Sequence, residues 1–147
     1  MLKEMALQTQ LDEVKAQMMA QMPEEVKTVI MEAGGKLAQS GLIDGARQKG
    51  DAAPKFTLPG VNGATVTLDG LLSKGPTVLT FYRGAWCPYC SLQFKALQAA
   101  LPEIEAAGAT LVGISPSTPD NSLSMAEKME LRFEVLSDAG NFVAKQY

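Results

Sequence analysis

Three short runs of β-branched and aromatic residues alternate with helical patterns in the second half of the sequence. This alternation restricts the fold more than any other feature. The runs are Thr77–Tyr82, Thr110–Ser115 and Phe133–Leu136. Strands that alternate with helices form a parallel sheet with covered faces and right-handed crossovers. The sequence therefore predicts an α/β fold, in which the apolar Thr77–Tyr82 is a central strand buried on both faces.

The segments between these runs carry helical signals. One is an inward stripe at spacings of three, four and three, formed by Phe94, Leu97, Leu101 and Ile104. A cap-rich segment at 119–122 precedes a second helical pattern that reaches Leu131, and 141–147 reads as the start of a last helix.

Both cysteines of the protein lie where the first of these strands gives way to a helix. They stand two residues apart, in the order Trp86-Cys87-Pro88-Tyr89-Cys90. A helix N-terminus collects free peptide N–H groups and a partial positive charge, which stabilise a thiolate. Pro88 suits the first turn of a helix. The spacing therefore indicates a redox pair that attacks either a disulfide sulfur or the O–O bond of a peroxide.

Three neighbours are candidates for supporting this pair. Arg83 is the nearest cation in the sequence, and it could strengthen the positive field or orient a substrate oxygen. The alternative for Arg83 is a solvated surface charge, since charged residues are mostly exposed. Tyr82 and Trp86 either pack against the helix or stack on a substrate, and packing is the commoner use.

Composition excludes several other kinds of chemistry. The chain has no histidine, so Ser-His and Cys-His catalysis are excluded, and two cysteines alone cannot complete a structural zinc site. We therefore expect no metal and no cofactor. A net charge of −3 argues against nucleic-acid binding, and no apolar run approaches the ~20 residues of a membrane span. The N-terminus lacks the apolar centre of a secretory signal, and we expect a cytoplasmic protein with reduced thiols.

Residues 1–49 read as a separate helical segment. A stripe at helical spacing, Leu7 to Met18, is followed by a new helix start at Pro23, whose end we place at Gly34-Gly35. A third helical piece is predicted within 36–48. A segment with turn-forming residues at 50–54, which begins with glycine and ends with proline, marks the start of the second domain, 50–147. There, Asn62-Gly63 between two strand-like runs predicts a β-hairpin.

The second domain resembles the peroxiredoxin family, also called the alkyl hydroperoxide reductase and thiol-specific antioxidant family. The resemblance rests on Gly50-Asp51-Ala52-Ala53-Pro54-Lys55-Phe56-Thr57-Leu58, on Val78-Leu79-Thr80-Phe81-Tyr82 and on Leu136-Ser137-Asp138 with Val143-Ala144. It covers roughly residues 50–147. It implies a thioredoxin-like fold with the redoxin hairpin at its N-terminal end.

The active-site motif departs from the family pattern. Peroxiredoxins carry Pro-x-x-x-Thr-x-x-Cys, and alignment through Phe81-Tyr82 places their peroxidatic cysteine on Cys90. Cys87 then takes the position of the threonine, and Arg83 that of the proline. The motif from Trp86 to Cys90 instead resembles that of thioredoxins and glutaredoxins, in which the first cysteine attacks. The chain thus resembles a peroxiredoxin-like subgroup with a thioredoxin-style Cys-x-x-Cys.

The resemblance implies a thiol-dependent antioxidant enzyme. In the leading interpretation, Cys90 reduces a hydroperoxide, Cys87 resolves it as an internal disulfide, and a dithiol such as thioredoxin resets the pair. The alternative is a protein disulfide oxidoreductase in which Cys87 attacks and Cys90 resolves. A third interpretation is a redox-sensing interaction protein without turnover.

The family fold continues with a C-terminal hairpin and a helix that are absent from this sequence. In the family, that hairpin pairs with the strand Thr77–Tyr82, which would otherwise present an exposed apolar edge. We expect another element or a partner subunit to cover this edge, unless the sequence is part of a longer chain. Self-association through residues 1–49 or through this edge is therefore a further expectation.

Overall fold

The computed structural model describes residues 6–147, apart from the side chains of residues 123–125. The first five residues, included in the predicted helical segment and in the search for a signal, lie outside the described residues. The helices are α1 (Leu7–Gln21), α2 (Glu24–Ala38), α3 (Leu42–Gly45), α4 (Leu68–Leu72), α5 (Pro88–Ala106) and α6 (Pro119–Lys128). The strands are β1 (Thr57–Pro59), β2 (Thr65–Thr67), β3 (Thr77–Phe81), β4 (Thr110–Ser115) and β5 (Glu134–Ser137). The contacts divide the chain into two compact units, one ending at Ala53 and one spanning Pro54–Tyr147.

The first unit is helical, as the sequence predicts, but one helix end is misplaced. We placed the end of the second helix at Gly34-Gly35, whereas α2 continues to Ala38. Glycine weakens a helix interior by only about 1 kcal/mol, and good helix formers follow it here. The Gln39 N–H then closes the helix by donating to the Gly35 carbonyl. None of the residues of α1, α2 or α3 is fully buried.

The second unit begins with the predicted hairpin. Strands β1 and β2 pair antiparallel around the Asn62-Gly63 turn, with Leu58 opposite Val66. Gly63 has a φ of +80°, the left-handed conformation that this turn needs and that glycine adopts easily. An isolated bridge from Gly60 to Leu136 joins the hairpin to β5.

The main sheet is parallel, with the strand order β3-β4-β5. Our prediction of a central β3 buried on both faces is wrong, because β4 is the central strand and all but one of its residues are buried. Within the described residues β3 pairs only with β4, and its Val78 and Phe81 side chains are exposed. The run is apolar enough for a sheet centre, but pairing decides which strand takes that place. β3 is thus an edge strand within the described residues.

Two apolar clusters hold the unit together. One joins the α5 side chains, including Phe94, to the sheet and to both cysteines. The other packs the hairpin and α4 against β4 and β5. The predicted last helix is a 3₁₀ turn, Ala144–Gln146. The buried Asp138 carboxylate, which directly follows β5, accepts hydrogen bonds from the Val143 and Ala144 N–H groups and fixes that turn.

Within the described residues, no helix is both long and apolar enough to cross a membrane.

Candidate redox site

The first cysteine stands at the boundary between a turn and a helix. Cys87 has the extended backbone conformation of an N-cap residue, and Pro88 follows as the first residue of α5. The Cys87 N–H donates to the Gly84 carbonyl at 3.2 Å, and the Cys87 carbonyl accepts the Ser91 N–H at 3.1 Å. Proline is favoured at this place because its missing N–H would have no partner there. The local sequence therefore fixes Cys87 at the positive end of a 19-residue helix.

Cys90 lies one turn further on, and both cysteines are free thiols. Cys87 is 1% exposed and Cys90 is 7% exposed. Both belong to the cluster that contains Phe94 and Tyr82. The pair is therefore set into the protein, close to the carboxyl end of β3.

Arg83 reaches the first sulfur directly. Its Nη2 donates to the Cys87 Sγ at 3.3 Å, within the range for a hydrogen bond to sulfur. A guanidinium remains protonated at every physiological pH, so it offers a thiolate a permanent cationic donor. Arg83 is therefore in direct contact with the pair, although the residue is exposed to solvent.

The surroundings of Cys87 favour its thiolate. Burial alone would raise the pKa of Cys87, since a charged sulfur loses hydration. Polar contacts with the Cys90 thiol and peptide N–H act in the opposite direction, as do the hydrogen bond and charge of Arg83. The net result is a Cys87 pKa below the ordinary thiol value.

Cys90 is affected in the opposite direction. Burial raises the pKa of Cys90, and the neighbouring Cys87 raises it further. The backbone N–H groups of Arg83 and Gly84 lower it but do not outweigh these effects. The pKa values of the two thiols are therefore shifted in opposite directions, which favours ionisation of Cys87 over that of Cys90.

Trp86 stacks on the same arginine. The Arg83 guanidinium carbon lies 4.9 Å from the centre of the Trp86 ring, while the indole as a whole is 70% exposed. This distance is within the range of a cation–π interaction. Trp86 is thus in contact with the group that touches Cys87.

The Tyr82 side chain packs in the hydrophobic core. It is buried, its ring centre lies 4.5 Å from that of Phe94, and its hydroxyl lies 3.4 Å from the Ser122 hydroxyl. These contacts agree with the packing interpretation of Tyr82. Its ring also forms part of the wall of the neighbouring cleft.

An open cleft of about 380 Å³ lies beside the turn and includes the three predicted supporting residues, Tyr82, Arg83 and Trp86. Sequence reasoning missed the residues on its other side, which are Ser115, Pro116, Asp138, Asn141 and Ala144. They lie at or beyond the carboxyl ends of β4 and β5, and ligands of parallel sheets bind at the carboxyl ends of the strands. That rule, applied to the predicted strands, is the signal that could have found them.

No group of three or more potential metal ligands occurs among the residues that the structure describes.

A reduced Cys-x-x-Cys pair at the N-terminus of a helix, after a parallel strand, defines a dithiol redox site. The AhpC/TSA family matches residues 49–147, two thirds of the chain, and the protein belongs to this family. Its fold is accordingly thioredoxin-like, as the sequence predicted.

Relatives of this chain are peroxiredoxins. It is 36% identical over 112 residues to the chloroplastic peroxiredoxin Q of Triticum aestivum, matching 76% of this chain and 51% of the relative. It is 38% identical over 99 residues to peroxiredoxin Bcp of Escherichia coli K12, covering 67% of this chain and 62% of that protein. The peroxidoxin BcpB structure from Mycobacterium tuberculosis superposes with a TM-score of 0.67 at 33% identity, covering 69% of this chain and 66% of that one. The chain thus spans about half to two thirds of the length of these proteins.

Proposed function

We propose that the protein is a thiol-dependent peroxidase that reduces hydroperoxides at the Cys87–Cys90 pair, with Cys87 as the attacking sulfur. Family membership and the peroxiredoxin relatives support the peroxidase class. The observation that carries the assignment of the sulfurs is the hydrogen bond from Arg83 Nη2 to the Cys87 Sγ at 3.3 Å, and the opposite directions of the two pKa shifts agree with it. A thiolate is the nucleophilic form, and Cys87 is the cysteine whose surroundings favour it.

The reaction would proceed in two steps on the protein. The Cys87 thiolate attacks one peroxide oxygen, the O–O bond breaks, and the leaving alkoxide or hydroxide takes a proton from solvent. Cys87 is then a sulfenic acid, oxidised by two electrons. The Cys90 thiol attacks this sulfur, a Cys87–Cys90 disulfide forms, and water leaves. The raised pKa of Cys90 makes its thiolate less favoured than that of Cys87, in keeping with a resolving role.

An external dithiol, such as thioredoxin, would complete the cycle. Its thiolate attacks the disulfide, a mixed disulfide forms, and its second thiol releases the reduced pair while the dithiol itself becomes a disulfide.

This order of attack is the reverse of the one that the family alignment predicts, in which Cys90 attacks. Rapid-mixing experiments with a hydroperoxide and a sulfenate-trapping dione distinguish the two orders. We expect Cys90→Ser to accumulate sulfenate on Cys87, and Cys87→Ser to form sulfenate on Cys90 at least tenfold more slowly. Faster sulfenate formation on Cys90 would establish the aligned order. No sulfenate on either cysteine would remove the peroxidase proposal.

Protein disulfide reduction is a second candidate for the same pair. It is favoured by the position of Cys87, a helix N-cap with a lowered pKa in a Trp-Cys-Pro-Tyr-Cys motif. In the Cys90→Ser protein, a disulfide substrate should then remain attached to Cys87 as a mixed disulfide. Rapid trapping together with slow sulfenate formation would favour this candidate over the peroxidase. Absence of turnover with either substrate would favour the redox-sensing interpretation.

We further propose that residues 50–147 form the redox domain and that the chain self-associates outside the site. Two exposed apolar surfaces support self-association: the α2 side chains Val29 and Ile30, and the edge of β3 that pairs with no strand of the described residues. Sedimentation of the full chain tests this proposal against a fragment beginning at Gly50. A loss of mass beyond the removed residues assigns the association to residues 1–49, an unchanged oligomer assigns it elsewhere, and a monomeric full chain contradicts it.

A cytoplasmic location would suit this chemistry, because a reducing compartment keeps cycling thiols reduced. The wheat relative is chloroplastic, so the compartment needs a direct test. Fractionation with an antibody to the protein should find it with cytoplasmic markers, and enrichment in an organelle would contradict this assignment.

A further inference from the structure

Two groups contact the Arg83 side chain, the Cys87 sulfur and the Trp86 indole. Its Nη2 donates to the Cys87 sulfur at 3.3 Å, and its guanidinium carbon lies 4.9 Å from the centre of the Trp86 ring. The arginine itself is exposed, and a long exposed side chain samples many rotamers unless contacts restrict it. The contacts with the Cys87 sulfur and the Trp86 indole both restrict its position.

Glycine at position 84 makes the stacking possible. Gly84 is buried, has a φ of +151°, and a side chain there would meet the Trp86 indole, with a Cβ only 2.7 Å from its Nε1. The indole therefore lies across the backbone of the turn, on the side of Arg83. An exposed tryptophan at this place has no core to fill, since 70% of its surface remains open.

We propose that Trp86 is a positioning residue, whose indole holds the Arg83 guanidinium against the Cys87 sulfur. This proposal deepens the proposed function, which assigns Cys87 as the attacking thiol. Trp86 acts through Arg83, which is the group that contacts both the indole and the reacting sulfur. The titratable groups that act on the Cys87 sulfur are Arg83 and Cys90, so a change at Trp86 reaches Cys87 through the arginine.

The first test is a double-mutant cycle in the full-length Cys90→Ser protein, where Cys87 is the one remaining thiol. The pKa of Cys87 is measured by thiolate ultraviolet absorbance, which needs neither substrate nor access of a reagent. We expect Trp86→Ala to raise this pKa and to reduce the thiolate at a pH below it by about two- to fivefold, the factor that a cation–π contact provides. In the Arg83→Gln background, Trp86→Ala should have no further effect.

Two conservative variants separate the aromatic face from simple bulk. Trp86→Phe should retain most of the thiolate, whereas Trp86→Leu should behave like Trp86→Ala. A wild-type Cys87 pKa in Trp86→Ala would overturn the proposal, as would equal shifts with and without Arg83, or full retention in Trp86→Leu. Because Trp86 is largely exposed, these variants should fold, and circular dichroism checks that they do.

Phe142 offers a matched control. It is 72% exposed, and the Lys145 ammonium lies 5.9 Å from its ring centre, so it is also an exposed aromatic beside a cation. Phe142→Ala should leave the pKa of Cys87 unchanged. An equal shift in this variant would show a general effect of removing surface aromatics and would contradict the proposal.

Reciprocity supplies an independent readout. If the indole favours the thiolate through Arg83, the thiolate must in turn favour the Arg83–Trp86 stack. Trp86 is the only tryptophan in the sequence, so its fluorescence reports this contact directly. We expect the emission to titrate with the same midpoint as Cys87, and this titration to disappear in Arg83→Gln. Trp86 emission that stays constant while Cys87 ionises would refute the coupling. That result would leave the proposed peroxidase activity unaffected, because turnover is measured separately.

Discussion

The segment 83–90, which contains a turn and the start of α5, differs from the helices that precede Ala53 in how many contacts hold its side chains. In the turn, Arg83, Trp86 and Cys87 contact one another, and both cysteines are buried in a common cluster. In α1 and α2 no residue is fully buried, and the apolar side chains of Val29 and Ile30 in α2 are exposed. A reaction that depends on a fixed geometry needs side chains that their neighbours hold in place, as in the segment 83–90. Substitutions in the two regions should therefore have very different consequences.

The largest difference should appear in turnover. Cys87→Ser removes the sulfur that we assign as the nucleophile, and we expect hydroperoxide turnover to fall by about tenfold or more, to the slow reaction of Cys90. Val29→Ser, in the exposed face of α2, should leave turnover within about twofold of the wild type, because surface substitutions away from the site change little. Steady-state peroxide consumption with a dithiol reductant measures both. Comparable losses in the two variants would end the distinction between the regions.

Stability should differ in the same direction. Phe94 is fully buried and contacts the rings of Tyr82 and Phe133, so Phe94→Ala should destabilise the protein by about 3–5 kcal/mol. Ile30→Ala removes a half-exposed side chain, and we expect a loss within about 0.5 kcal/mol. Urea unfolding followed by tryptophan fluorescence, which reports on the redox unit, measures the first change, and helical circular dichroism measures the second. A large loss in Ile30→Ala would show that α2 is packed against something in solution.

The electrostatic part of the comparison is tested at Arg83. A hydrogen bond to a charged group is worth about 1.5–3 kcal/mol, and solvent exposure places this one at the lower end. Arg83→Gln should therefore reduce the reactivity of Cys87 near neutral pH by roughly tenfold. Thiolate forms as pH rises through the lowered pKa of Cys87, so the alkylation rate should level off below the ordinary thiol value of about 8.5.

In Arg83→Gln that rise should move to higher pH, and Arg83→Lys, which keeps the charge, should lie between the two. An unchanged pH profile in Arg83→Gln would contradict the role of Arg83 in stabilising the Cys87 thiolate.

Two glycines give the smallest and most specific contrast. A side chain at Gly84 would meet the Trp86 indole in an unfavourable backbone conformation, so Gly84→Ala should destabilise the protein by about 1 kcal/mol. Gly35 lies inside α2 with no atom within 4 Å of a Cβ, so Gly35→Ala should stabilise the helix by about 0.5–1 kcal/mol. Thermal unfolding of both variants checks the signs. The comparison fails if the signs are equal.

The sequence predicted the parts of the structure that depend on local pattern. The helices of the first unit, the Asn62-Gly63 hairpin and the position of the cysteines at the start of α5 follow from spacing, capping and turn residues. The order of the strands depends on which pairs form. The apolar run of β3 by itself predicted a central strand, and only the family resemblance implied that it could lie at an edge.

The predicted end of α2 was wrong for a related reason. A glycine pair is a frequent helix end, but the cost of glycine is small enough for the following residues to continue the helix.

The predicted site residues Arg83, Trp86 and Cys87 meet in the structure, but their roles required three-dimensional contacts. The sequence left Arg83 equally compatible with a surface charge, and it could not order the two thiols, since burial and polar contacts decide that order. The far wall of the cleft, including Asp138 and Asn141, is far from the motif along the chain and close to it only after folding.

The central claim is that Cys87 is the thiolate of the pair, and the most direct measurement is the pH dependence of alkylation at each sulfur. Reduced wild-type protein is labelled briefly across a pH series, and mass spectrometry quantifies the label on each cysteine. We predict that Cys87 has the lower midpoint, below that of an ordinary thiol, and that Cys90 has the higher one. A lower midpoint at Cys90 would contradict the account and would make Cys90 the attacking sulfur.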